Sequence, residues 1–133
     1  MKRMKSLILF AATCSMLFFT ACNKEPGEGG TSSINGKVWV VDLNASGDTI
    51  AQYYAMDQDE YIIYGEDTQT YADKFSTSLD GSFSFNYLTP GKYTVFAYSK
   101  CDLCDSGQNA VSTTVEITEK KQTITMDDIV IFD

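Results

Sequence analysis

Histidine is absent from this 133-residue chain. That excludes Ser-His-Asp and Cys-His catalysis and removes the commonest ligand of transition-metal sites. Proline occurs twice and tryptophan once. Basic residues are scarce, 10 Lys and Arg against 18 Asp and Glu, for a net charge of −8. A balance of that sign disfavours nucleic acid, which is held by Lys and Arg on its phosphates, and it disfavours electrostatic docking to anionic lipid. There is no long apolar run except Leu7–Phe19, thirteen residues. Spanning a bilayer as a helix takes roughly 20 apolar residues. No stretch shows a sustained helical stripe.

What is there begins with that short run. Lys2, Arg3 and Lys5 precede it, and Thr20-Ala21-Cys22 follows. A cationic start, an apolar middle and small residues at the end are the layout of an export signal. The segment Phe19-Thr20-Ala21-Cys22 resembles the lipobox of bacterial lipoproteins, with Phe19 where that motif usually carries an aliphatic residue. The resemblance implies cleavage before Cys22, lipid on its sulfur and attachment to the cell envelope, with the outer membrane the expected site. Loss of residues 1–21 removes three basic and no acidic residues, so the charge moves from −8 to −11. Asn23–Ser33 is rich in Gly, Ser and charge and lacks any apolar period. Residues 22–33 are therefore expected to be a lipidated flexible tether, reaching on the order of 20 Å. Glu25 and Glu28 close behind Cys22 also resemble the surface-export signal of Bacteroidetes lipoproteins.

Residues 34–133 suit one domain. Their pattern has period two. Ile34, Gly36, Val38 and Val40 alternate with Lys37, Trp39 and Val41, Phe83, Phe85 and Tyr87 with Ser82, Ser84 and Asn86, and Tyr93, Val95 and Ala97 with Lys92, Thr94 and Phe96. Val111–Ile117 and Thr123–Met126 repeat the pattern, and Tyr61–Gly65 reads as a further strand. Alternation of β-branched and aromatic residues is the signature of half-buried strands. Turn signals at Ser46-Gly47-Asp48, Asp80-Gly81, Pro90-Gly91 and Glu119-Lys120-Lys121 separate the runs. The expected fold is all-β, a single antiparallel β-sandwich of about seven strands. The stretch Asp48–Asp59 is expected as a loop or an extra hairpin at the sandwich edge. The run from Thr77 through Asp80-Gly81, Phe83, Phe85, Leu88 and Pro90-Gly91 to Tyr93-Thr94-Val95 resembles the central hairpins of carboxypeptidase regulatory-like domains, which are transthyretin-like sandwiches. The opening Ile34–Val38 fits the same family's first strand. That resemblance implies a fold and no reaction.

Of four cysteines, Cys14 leaves with the signal and Cys22 is the lipid acceptor, so Cys101 and Cys104 remain. Outside the cytoplasm two such close thiols oxidise, and a local disulfide is expected. Asp102 and Asp105 disfavour the thiolate that redox exchange needs. No metal site of zinc type is expected. A weak calcium candidate is Asp42, Asn44, Ser46 and Asp48, spaced like the opening of an EF-hand loop but with Tyr53 at the twelfth place. The acids Asp57, Asp59, Glu60, Glu66 and Asp67 read as solvated loop charge. Tyr53, Tyr54, Tyr61, Tyr64 and Tyr71 crowd into 19 residues, and exposed rings in a row stack on sugars. The reading is a lipid-anchored envelope domain, not an enzyme and without cofactor, with a structural or interaction role. The alternatives are a surface binding module for glycan or protein and, more weakly, a calcium-dependent module.

Overall fold

The structure, a computed structural model, describes residues 25–66 and 70–133. Nine strands follow in order: β1 (Glu28–Leu43), β2 (Thr49–Tyr54), β3 (Asp59–Tyr64), β4 (Asp73–Ser76), β5 (Ser82–Leu88), β6 (Gly91–Lys100), β7 (Gln108–Ile117), β8 (Thr123–Thr125) and β9 (Ile129–Phe132). No helix occurs among the described residues. One sheet is built around β1. Its first half pairs antiparallel with β5 and parallel with β8, and its second half antiparallel with β2 and parallel with β9. The other sheet runs β4-β3-β6-β7, antiparallel throughout. The all-β sandwich expected from the alternation is the observed architecture.

The core comes from the faces that period two selects. Ile34, Val38 and Val40 of β1 are buried, as are Ile62 of β3, Phe83 and Phe85 of β5, Tyr93, Val95 and Ala97 of β6, and Ile129 and Ile131 of β9. The alternation fails at Tyr87, which has φ of 60° and points to solvent. Leu88 is buried instead and closes that end of the core. The strand count exceeds the expected seven because β2, β4 and β9 add to the segments marked by alternation. β2 fills the Asp48–Asp59 stretch and forms the edge hairpin with β1.

The tether expected over residues 22–33 is corrected for its second half. Glu28–Ser33 belongs to β1, and the fold starts before Ile34. Long-range contacts order this segment where its composition does not. Pro26 lies against Gly91, where an added Cβ would stand 2.5 Å from the proline ring. Tyr93 Oη accepts from the Gly27 amide at 2.9 Å. Ser32 Oγ donates to the Glu119 carbonyl at 3.0 Å and accepts from the Gln122 amide at 3.1 Å. Residues 1–21 and Cys22 lie outside the described residues.

Candidate functional site

β3 and β6 run side by side, with Tyr61 opposite Phe96 and Ile62 opposite Val95. Ile62, Val95 and Ala97 face the core, so Tyr61, Phe96 and Tyr98 face outward. These outward rings form a platform. Tyr61 stacks on Phe96 at 5.0 Å between centroids with 16° between planes. Tyr98 meets Tyr61 edge-on at 5.5 Å and Phe96 at 5.6 Å, and Tyr71 meets Tyr61 edge-on at 4.7 Å. Offset and edge-on contacts of this kind satisfy the ring quadrupoles and hold the side chains in place. The tyrosines cover Phe96 almost completely while Tyr71 and Tyr98 stay 48% and 43% exposed.

A polar rim borders the platform. Asp59 accepts from Lys74 Nζ at 2.8 Å and from Ser76 Oγ at 2.7 Å. The Lys74 ammonium, and then the Ser76 hydroxyl, hold the Asp59 carboxyl below its ordinary range, so it is an anionic acceptor at neutral pH. Partial burial, and then the charge of Asp59, push the Tyr61 hydroxyl up, which keeps it a neutral donor. Tyr61, Tyr98 and Asp59 continue into a cleft of about 580 Å³ at the sandwich end, shared with Tyr53, Gln58 and Gln108. The amides and hydroxyls here can take sugar hydroxyls, and the rings can take an apolar face. A second groove of about 490 Å³ runs past Phe75, Phe83 and Met126. Two of its hydroxyls are already engaged, Ser84 with Asn35 at 2.6 Å and Ser82 with Asp80 at 2.6 Å.

The five crowded tyrosines do not form one row. Only Tyr61 and Tyr71 meet. Tyr64 turns to Tyr93 at the core margin, while Tyr53 and Tyr54 lie on β2 in the other sheet. Phe96 and Tyr98 complete the platform and were missed. Their outward alternation was readable, but their pairing with Tyr61 is set by strand register. The acids Asp59 and Glu60 point to opposite faces, so they do not act on one substrate together. Glu60 is fully buried without a hydrogen-bond partner. Burial, and then the neighbouring Asp59 charge, push its carboxyl up to about 8.

The calcium candidate is a turn. Asn44 Oδ1 accepts from the amides of Ser46 and Asp48, both at 2.9 Å, and its amide nitrogen donates to Asp48 Oδ2 at 3.3 Å. Asn44 and Asp48 are therefore turned toward the backbone and each other. Among the described residues no three acidic or cysteine side chains converge on a point. Cys101 and Cys104 form the expected disulfide, with Cα atoms 5.3 Å apart. It ties the loop between β6 and β7, whose flanking residues Lys100, Gly107 and Gln108 line the cleft.

No protein-family model matches the chain, and no curated protein matches it. Among solved structures it is similar to a candidate carbohydrate-binding protein from Pseudomonas aeruginosa, at 15% identity and a TM-score of 0.50. The likeness covers 80% of this chain and 91% of that one. At that identity it bears on the fold, and the fold it supports is the β-sandwich described above.

Proposed function

We propose that this chain is an envelope lipoprotein, anchored through lipid on Cys22, whose sandwich is a non-catalytic binding module for a neutral glycan. The observation that carries the reading is the outward platform of Tyr61, Tyr71, Phe96 and Tyr98, continuous with the Asp59, Gln58 and Gln108 cleft. Within it Tyr71 and Tyr98 keep large aromatic faces exposed, and faces of this kind mark an interaction site. The stacking rings supply apolar contact, and the fixed carboxylate and amides supply direction. The acidic balance, −8 over the full chain and −11 once residues 1–21 are lost as proposed, disfavours anionic glycans and favours neutral ones. The candidate carbohydrate-binding role of the P. aeruginosa protein points the same way.

A glycan array probed with the folded chain tests this. Binding to neutral oligosaccharides is expected, and Tyr98→Ala should weaken it about tenfold, equivalent to about 1.4 kcal/mol for one lost stacking ring. A blank array, or a Tyr98→Ala variant that binds as the parent does, overturns the reading.

A further inference from the structure

β2 reads Thr49-Ile50-Ala51-Gln52-Tyr53-Tyr54 and carries no charge. All six residues are exposed, Ile50 at 62%, and Met56 just beyond is 61% exposed. Among the described residues β2 pairs with β1 alone, so its other edge is open. Edge strands are ordinarily blunted by Lys, Pro or an inward charge, and β2 has none of these. By contrast β4 carries Asp73 and Lys74, and β7 carries Glu116 and polar Gln108, Asn109, Ser112, Thr113 and Thr114.

The direction of its peptide groups follows from the ladder. Val38 donates its amide to Gly81 and accepts the Ala55 amide, both at 3.0 Å, so its peptide groups face the β2 side. Two residues on, Val40 and Asp42 face the same way, opposite Tyr53 and Ala51. Gln52 and Tyr54, in the alternate positions, turn their N–H and C=O toward the open edge.

The frame around this uncharged strand is acidic. Asp48 and Asp57 flank its ends, Asp42 stands opposite Ala51, and Asp128 accepts from the Tyr54 hydroxyl at 3.1 Å. Lys37 lies 4.7 Å from the Tyr54 ring centroid but is paired with Asp80 at 3.3 Å. We propose that β2 is a docking edge for an extended partner polypeptide, which adds a strand through Gln52 and Tyr54 and carries Lys or Arg at its ends. A second copy of this chain does not fit, because its own acidic strand ends would meet these. The edge adjoins the glycan cleft, which Tyr53 and Asp57 also line, but the proposal does not rest on glycan binding.

The test uses two synthetic peptides of alternating Thr and Val, one ending in lysines and one in glutamates. Binding to the full chain is followed by fluorescence anisotropy, and the β2 amides by hydrogen exchange. The lysine peptide should bind at least tenfold more tightly, lose affinity with salt, and protect the Gln52 and Tyr54 amides. Gln52→Pro removes an outward amide and should abolish binding. Should that variant fail to fold, Asp48→Asn with Asp57→Asn keeps the backbone preferences and should cut the lysine preference below threefold. Equal affinity for the two peptides, binding of neither, or protection away from β2 overturns the proposal. So does β2 protection that rises with protein concentration alone, which would mean self-association.

Discussion

Glu60 carries an energetic liability that one substitution exposes. Its carboxyl has no accessible surface and neither oxygen has a partner. A buried ionised carboxylate without compensation is costly enough that the group stays protonated instead. With a folded value near 8 against an ordinary 4.5, the native chain keeps a proton that the unfolded chain has released. The folded state then binds more protons across that window, so stability is fully present below 4.5 and falls as pH rises toward 8. The slope from this group is at most about 1.4 kcal/mol per pH unit. Glu60→Gln removes the titration. Thermal melts from pH 5 to pH 9 should show the parent losing stability relative to Glu60→Gln as pH rises. Parallel curves for the two proteins would place the carboxylate in a solvated or paired setting. The sequence contained half of this result. Grouped with Asp57 and Asp59, Glu60 reads as loop charge, yet extending the β3 alternation two residues back from Ile62 places it on the core face.

Strand elements were legible where one face is buried and illegible where neither is or where order comes from far away. β1, β5 and β6 announce themselves because Val38, Phe83 and Val95 alternate with polar neighbours and all three are buried. β2 has no buried residue, so it leaves no period to read, and its place is fixed only by pairing with β1. The aromatic platform was half legible for the same reason, since Tyr61 and Phe96 are 35 positions apart and meet through register. The start of β1 is the sharpest case. Its Gly-Ser composition describes a free chain, and partners some 90 residues away order it through Ser32 and Thr31. Gly30 makes that close approach possible. A Cβ at Gly30 would stand 1.8 Å from the Leu88 carbonyl oxygen, a backbone atom that cannot swing aside. Gly30→Ala should therefore cost about 2–4 kcal/mol, the range of a severe steric or packing defect. Hydrogen exchange should show the Ser33 amide, which donates to the Gln122 carbonyl at 2.9 Å, losing protection first. An unchanged melting temperature would return residues 28–33 to the tether.

At the scale of the whole molecule, the proposed anchor and the proposed binding site occupy opposite ends. The chain enters the fold beside the turn between β5 and β6, where Thr89 Oγ1 donates to the Glu25 carbonyl at 2.9 Å and Pro26 abuts Gly91. From Gly91, β6 runs ten residues to Lys100, which lines the cleft. At 3.3 Å per residue that is about 30 Å. Only Asn23 and Lys24 stand between Cys22 and Glu25, and three residue steps extend no more than about 11 Å. A lipid on Cys22 would thus hold the entry end near the bilayer and turn the Tyr98 platform and its cleft outward. Loss of residues 1–21, as proposed, would leave a charge of −11 and add repulsion from an anionic surface, which would favour standing over lying. Fluorophores on Lys92→Cys, at the entry end, and Asn109→Cys, beside the cleft, distinguish these postures in lipidated protein reconstituted into vesicles carrying a headgroup quencher. The Lys92 label should be quenched strongly and the Asn109 label weakly, and Cys22→Ala should leave both unquenched, with the protein soluble and its melting temperature unchanged. Equal quenching of the two labels would lay the sandwich flat on the membrane. Metabolic lipid labelling that persists in Cys22→Ala would remove Cys22 as the anchor altogether.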